Sequence, residues 1–182
     1  AVMTPKNPYT GVSLANEPAV AFVEIQNESS LLFWTFKPKS MPQTERDLIE
    51  KDFGDWLVAK YGSLEKAAEA WGKDKGPHTP DRFDEGRVGL YPAGQLTSND
   101  WAVRSRNQKR VADQTQWMIE SMRGFYADMK RDLQTEVGLK NMISASNWKT
   151  ADAKNLGGLE RYSYTATDVV CRNAYFGVDY AK

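Results

Sequence analysis

Three short segments of this sequence have the residue types of β-strands, and helix-like segments separate them. Residues 19–26, AVAFVEIQ, are apolar and β-branched apart from Glu24 and Gln26. Continuous apolar runs of this kind are typical of parallel strands that are buried on both faces. The later segments cover residues 139–148 and 168–177. Long crossovers join parallel strands, so the order predicts an α/β fold in which these three strands are parallel neighbours, with helices on one face.

Helical periodicity fills much of the sequence between the first two strands. Residues 44–61 and 63–71 have helical spacing, with Ser63 as the N-cap of the second helix. A longer helix follows residues 97–100 and ends near Gly138. Its apolar stripe is predicted to lie in the core and consists of Val111, Met118, Met122, Phe125, Met129 and Leu133. Residues 72–96 hold five glycines and three prolines, which predicts a surface loop.

Composition narrows the class of protein. A chain of 182 residues that is 41% hydrophobic fits one globular domain, residues 1–182. Lysine and arginine equal aspartate and glutamate at 24 each, so no basic field favours nucleic acid. Cys171 is predicted to be a buried apolar group, and with His78 as the one histidine we expect no structural metal and no cofactor.

The sequence also bears on membranes and location. No run of about 18 apolar residues, the length that spans a bilayer, is present. The N-terminus, AVMTPKNPYT, lacks the charged-then-apolar pattern of a signal peptide. Location is therefore open, and a secreted or periplasmic protein fits if a signal has been removed.

Polar and aromatic residues close all three predicted strands. These residues are Asn27 and Glu28, Asn147 and Trp148, and Asn173 and Tyr175. Because the carboxyl ends of parallel strands meet at one edge, we expect these side chains to face a single cleft. From the residues alone, Glu28 fits a helix cap or a surface ion pair as well, Trp148 fits the core equally well, and Asn173 and Tyr175 fit ordinary packing at a strand end.

The segments NPYTG, NEPAVAFVEIQNE, ASNWKTAD and VVCRNAYFG together resemble the clan A glycoside hydrolases, in particular bacterial cellulase-type members. These enzymes are (β/α)8 TIM barrels with an Asn-Glu pair at the end of the fourth strand. The resemblance implies that this chain covers strands four to six of an incomplete TIM barrel. It also implies a retaining hydrolase of β-linked polysaccharides or oligosaccharides.

The resemblance assigns roles to individual residues. Glu28 would be the general acid/base, and Asn27 would donate a hydrogen bond to the sugar hydroxyl beside the anomeric carbon. Trp148, and Trp34 as a further aromatic, would stack on pyranose rings. Asn147, Asn173 and Tyr175 would contact the substrate. Members of the family often have histidine at the position of Asn173, which is a departure from the pattern.

The main departure from the family's pattern concerns the second carboxylate that the reaction needs. The family's nucleophile glutamate closes the seventh strand, which we expect to lie outside this chain, so that the chain alone would be inactive. Glu160 is predicted to lie in the loop before the last strand. The alternative is a non-catalytic carbohydrate-binding or structural α/β module. In either case the expected partner is a carbohydrate, without nucleic acid or membrane, and exposed strand edges would invite self-association or pairing with missing barrel segments.

Overall fold

A three-stranded parallel sheet forms one side of the molecule. The structure is a computed structural model that describes residues 2–72, 76, 79–97, 108–147 and 150–173. The strands are β1 (Phe22–Asn27), β2 (Met142–Asn147) and β3 (Val169–Arg172), and β2 lies between its two parallel neighbours. The predicted α/β class, strand order and parallel direction are confirmed. The described strands do not form a closed barrel.

Four α-helices complete the described architecture. They are α1 (Gln43–Tyr61), α2 (Leu64–Trp71), α3 (Gln108–Thr135) and α4 (Gly157–Tyr164). The N-cap prediction for α2 is confirmed, because the Ser63 hydroxyl accepts a hydrogen bond from the Lys66 N–H at 3.2 Å. Single 3₁₀ turns lie at Leu14–Asn16, Pro38–Ser40, Phe83–Glu85 and Ala93–Gln95. None of the helices in the described part of the chain has the length and apolar content needed to cross a bilayer.

Helices α3 and α4 cover one face of the sheet. Tyr126 of α3 and Tyr164 of α4 pack with Ala145 of β2, while Ile143 packs against Leu133 near the end of α3. The two helices that pack on the sheet, α3 and α4, therefore lie on the same face.

The opposite face of the sheet is open at its N-terminal end. Phe22 and Met142 are paired in the strand register and remain 49% and 50% exposed. The expectation that β1 is buried on both faces is wrong, because each of its residues is either exposed or only partly buried. Cys171, which was predicted to be buried, is a free thiol and only partly buried in the edge strand β3.

The predicted core stripe of α3 is confirmed in part and is wrong at Phe125. Four of its members lie in or against the hydrophobic clusters: Val111, Met118, Met122 and Leu133. Met118 and Met122 lie in the core, but Phe125 is 42% exposed and Tyr126 is buried in its place. Each four-residue step moves the stripe about 40° around the helix axis. The buried stripe follows this drift from Met122 to Tyr126, which packs with Ala145 and Tyr164, and leaves Phe125 outside it. The helix ends at Thr135, before Gly138.

The segment at residues 79–97 is packed into the core, contrary to the prediction of a surface loop. Val88, Leu90 and Tyr91 are at most 3% exposed. The Gln114 side chain accepts from the Tyr91 N–H and donates to the Tyr91 carbonyl, both at 2.8 Å. Because α3 supplies these partners, the irregular backbone is buried without losing its hydrogen bonds.

Asp168 joins β3 to both β2 and α3. Its backbone N–H donates to the Ile143 carbonyl at 2.8 Å, and its carboxylate accepts from the Ile143 N–H at 3.0 Å. Lys130 of α3 forms an ion pair with the same carboxylate. The Lys130 contact, helped by the Ile143 N–H, holds the pKa of Asp168 below its ordinary value.

The Asp168→Asn variant should reveal this carboxylate in the pH dependence of stability. A carboxyl whose pKa is lowered by folding contributes stability above its unfolded pKa, and that contribution is lost as the pH falls through the folded value. We expect the variant to be about 1 kcal/mol less stable than the wild type near neutral pH. The difference should shrink as the pH falls below about 4, the ordinary pKa of an aspartate, as measured by urea unfolding across the pH range.

Asp128→Asn is the matched control. Asp128 pairs with Arg131 at 2.6 Å, but both side chains are 61% exposed, so its removal should change the unfolding free energy by less than about 0.5 kcal/mol. A stability difference for Asp168→Asn that stays constant from neutral to acid pH would show that the carboxylate charge has no part in joining the strands.

Candidate functional site

The C-terminal edge of the sheet brings together polar side chains from all three strands. The Asn173 amide donates to Asn27 Oδ1 at 2.8 Å and to Glu28 Oε1 at 2.7 Å. The Ser146 hydroxyl, on β2, donates to the same Asn27 oxygen at 3.1 Å. Asn27, Glu28 and Asn173, which are far apart in sequence, are therefore in direct contact.

These contacts orient the Asn27 amide. Its Oδ1 accepts two hydrogen bonds, whereas no acceptor for its Nδ2 lies among the described residues. The side chain is exposed, so Nδ2 is the group that faces solvent as a donor. A ligand hydroxyl at this edge of the sheet would meet an N–H donor beside the Glu28 carboxyl group.

Glu28 has an unusual backbone conformation. Its φ of 52° lies in the left-handed region, and it is the only non-glycine residue in the described part of the chain with a positive φ. The Glu28 N–H still donates to the Ser146 carbonyl at 3.1 Å, after an irregularity in the β1 register between Glu24 and Asn27. This bend turns the chain away from the sheet and leaves the Glu28 side chain partly exposed. Strained residues of this kind cluster at functional sites.

A buried carboxylate lies beneath the loop that follows Glu28. Ser30 donates to Glu160 Oε1 at 2.5 Å, and its hydroxyl accepts from the Leu32 N–H at 3.1 Å. Glu160 is only 4% exposed and lies in α4. Its predicted place in a loop was wrong. Burial, and then the negative charge of Glu160, raise the pKa of Tyr126 and of Tyr164 beside it.

Sequence reasoning missed the part that Glu160 plays in the site. The helical spacing of residues 157–164 could have placed it on a helix, but nothing in the sequence connects it with Ser30. Through its contact with Ser30, Glu160 holds the loop that follows Glu28. It does so from helix α4 and does not lie at the end of a strand.

Trp34 lies further along the same loop. Its side chain is 53% exposed, and its ring centroid is 5.8 Å from that of the buried Phe33. Lys37 Nζ lies 5.7 Å from the Trp34 centroid, within the range of a cation–π contact. The loop is fixed by a bridge between Phe33 and Thr150 and by the hydrogen bond from the Ala151 N–H to the Leu32 carbonyl at 3.0 Å. Trp34 therefore presents an aromatic surface to solvent from an anchored backbone.

The remaining predicted site residues are only partly described. Asn147 ends β2 opposite Arg172 in the register. Trp148 and Tyr175 lie outside the described residues, as does His78. Contacts between these residues and the cluster of Asn27, Glu28 and Asn173 remain predictions.

Comparisons with protein-family models, curated proteins and solved structures found no match. Among the described residues, no group of three or more His, Cys, Asp or Glu side chains is arranged to hold a metal ion. The strand-end cluster offers a carboxyl group and amide donors in a position that solvent can reach.

The left-handed conformation of Glu28 predicts that glycine is more stable than alanine at this position, which is the reverse of an ordinary strand position. We expect Glu28→Gly to be about 1 kcal/mol more stable than Glu28→Ala, because this conformation is sterically unfavourable for alanine and not for glycine. Both variants lose the carboxylate, so the comparison isolates the backbone. The measurement is chemical unfolding of the two variants side by side.

Glu24 is the control position, since it is an exposed residue within the same strand. At an ordinary strand position glycine costs roughly 0.5–1 kcal/mol relative to alanine, so Glu24→Gly should be less stable than Glu24→Ala. The same sign at both positions would rule out the left-handed bend at Glu28.

Proposed function

We propose that this chain is part of a retaining glycoside hydrolase that acts on a β-linked polysaccharide or oligosaccharide, with Glu28 as the general acid/base. The single observation that carries the proposal is the cluster at the C-terminal edge of the parallel sheet. There a partly exposed carboxyl group lies beside the Asn27 and Asn173 amides. The C-terminal edge is where parallel α/β folds gather their active sites, and the resemblance to clan A hydrolases supports the same assignment.

Each residue of the cluster fits a step of glycoside cleavage. A general acid must protonate the leaving oxygen, and later the same group activates water as a base. The Asn173 amide, bonded to one carboxyl oxygen of Glu28, fixes the orientation of that group. The Asn27 Nδ2 donor suits a sugar hydroxyl next to the bond being cleaved. Trp34 offers a face on which the apolar side of a pyranose ring can stack.

The reaction needs a second carboxylate. A retaining enzyme places its nucleophile about 5 Å from the acid/base. None of the described strand ends carries a second carboxylate, so we propose that the nucleophile comes from outside the described strands. The same observation favours one alternative, a carbohydrate-binding or structural module that does not cleave its ligand.

The test is to replace Glu28 by Gln in the full gene product. The variant loses the proton donor, so cleavage of β-linked oligosaccharides should fall by about 10²- to 10⁴-fold. Dinitrophenyl β-glycosides, whose leaving group needs little protonation, should still be attacked and should form the glycosyl-enzyme. Azide should then accelerate turnover of the variant, since this anion needs no general base to attack the intermediate.

Glu24→Gln is the matched control on the same strand and should leave both rates unchanged. Equal losses of Glu28→Gln on the two substrate types, with no acceleration by azide, would show that Glu28 is not the acid/base. Binding of oligosaccharides by the wild type without any cleavage would instead support the non-catalytic module.

A further inference from the structure

A second concave surface lies between the segment at residues 37–40 and the segment at residues 79–95. It consists of two adjoining pockets of about 310 Å³ and about 130 Å³. Lys39 and Thr79 line both pockets, so the two form one continuous groove, which we call the lysine groove. Its combined volume lies within the range of small-ligand sites, which is about 300–1,000 Å³.

Basic side chains outnumber acidic ones in the walls of the lysine groove. Five basic residues and one acidic residue contribute to its walls: Lys37, Lys39, Arg46, Arg82, Arg87 and Glu50. Glu50 is only 2% exposed and pairs with Arg87 at 2.7 Å, and Arg87 also pairs with Asp47 and Glu85. Arg82 pairs with Glu85 at 3.2 Å.

Three of these cations have no such partner. Within the described residues, no carboxylate forms an ion pair with Lys37, Lys39 or Arg46. Arg46 contacts the neutral side chain of Gln43, and Lys37 lies over the ring of Trp34. The groove therefore presents positive charge that the described part of the protein does not neutralise, which favours a negatively charged ligand.

The larger pocket also has an apolar floor with polar groups around it. Pro38, Leu90 and Pro92 supply the apolar surface, and Ser40 and Gln95 supply hydroxyl and amide groups. A sugar ring has the same two-sided character, with apolar C–H faces and a rim of hydroxyls. The combination of this floor with free ammonium groups suits a sugar that carries an acidic substituent.

The walls of the lysine groove are held in place. The Leu90 N–H donates to the Thr79 hydroxyl at 3.0 Å, which ties two parts of one wall together. The Ala93 N–H donates to the Phe36 carbonyl at 3.2 Å and joins that wall to the opposite one. A site that is formed before the ligand arrives loses less entropy on binding.

The groove is continuous with the loop of the strand-end site. Lys37 contacts the exposed Trp34, which follows Glu28 along the same anchored segment. We propose that the lysine groove binds acidic units of a β-linked oligosaccharide, through the carboxylate or sulfate groups that those units carry. This inference rests on the proposed function, because it takes the ligand at both places to be one carbohydrate chain.

Calorimetric titration of the intact protein tests the proposal with three tetrasaccharides. One contains β-linked glucuronic acid, one is its neutral β-linked glucose counterpart, and one is the glucose compound with sulfate groups. We expect at least one acidic compound to bind about tenfold or more tightly than the neutral one, because charge-assisted hydrogen bonds are stronger than neutral ones. The compound that binds identifies the acidic group. Its affinity should fall as salt is raised from about 0.05 M to about 0.5 M.

The double variant Lys37→Gln, Lys39→Gln locates the binding. Both side chains are exposed, so the fold should be kept, which thermal unfolding can check. The variant should lose most of the preference for the acidic compound and keep its affinity for the neutral one. The matched control is Lys66→Gln with Lys140→Gln, two exposed lysines outside the groove, which should bind as the wild type does.

Equal binding of all three compounds, or an acidic preference that survives in the double variant, would overturn the proposal. The readout is independent of cleavage, so the two proposals can fail separately. Retained charge-selective binding combined with failure of the Glu28 tests would reject the acid/base assignment and leave the groove.

Discussion

Helix α3 is the element on which the rest of the structure depends, because it contributes to each of the three hydrophobic clusters. Trp117 and Met118 lie in the cluster that α1 and α2 share with the segment at residues 79–97, and Tyr126 lies in the cluster with α4 and β2. Leu133 packs against the third cluster, beneath β1 and β2. A helix of 28 residues is about 42 Å long and rigid. The position of the sheet relative to the α1–α2 region is therefore set by one continuous backbone.

The polar contacts of α3 explain why a segment rich in glycine and proline is buried. Arg110, only 2% exposed, donates to the Gly89 carbonyl at 2.9 Å, and Gln114 pairs with the Tyr91 backbone. A Cβ at Gly89 would lie 1.9 Å from the Thr79 carbonyl oxygen. The backbone at position 89 can therefore approach Thr79 this closely only because the residue is glycine. Glycine content alone indicates a turn or a loop. Whether that loop is buried depends on side chains more than twenty positions away along the chain.

Features of the fold that depend on local residue types could be predicted from the sequence, and features that depend on contacts between distant residues could not. Strand positions, their order and the contact of Asn173 with Asn27 and Glu28 follow from local residue types and from the geometry of parallel sheets. The exposure of Phe22 could not be predicted, because an apolar run does not reveal which of its faces another element covers. The burial of Tyr126 in α3 could not be predicted either. Phe125 and Tyr126 are adjacent aromatic residues about 100° apart around the helix, and the sequence does not show which of the two faces the core. Glu160 was missed because its partner Ser30 lies across the fold.

The loop from Glu28 to Lys37 is anchored at several points, and this constrains how the two proposed sites can act together. Ser30 is held by Glu160, and the Phe36 carbonyl accepts from Ala93. Nine residues span at most about 30 Å even when fully extended. Glu28 and Lys37, which lines the lysine groove, are therefore close enough for one oligosaccharide to reach both. Since both ends of the loop are fixed, binding of an acidic unit in the groove would set the position of the bond presented to Glu28. Binding energy from a remote unit can then align the reacting one.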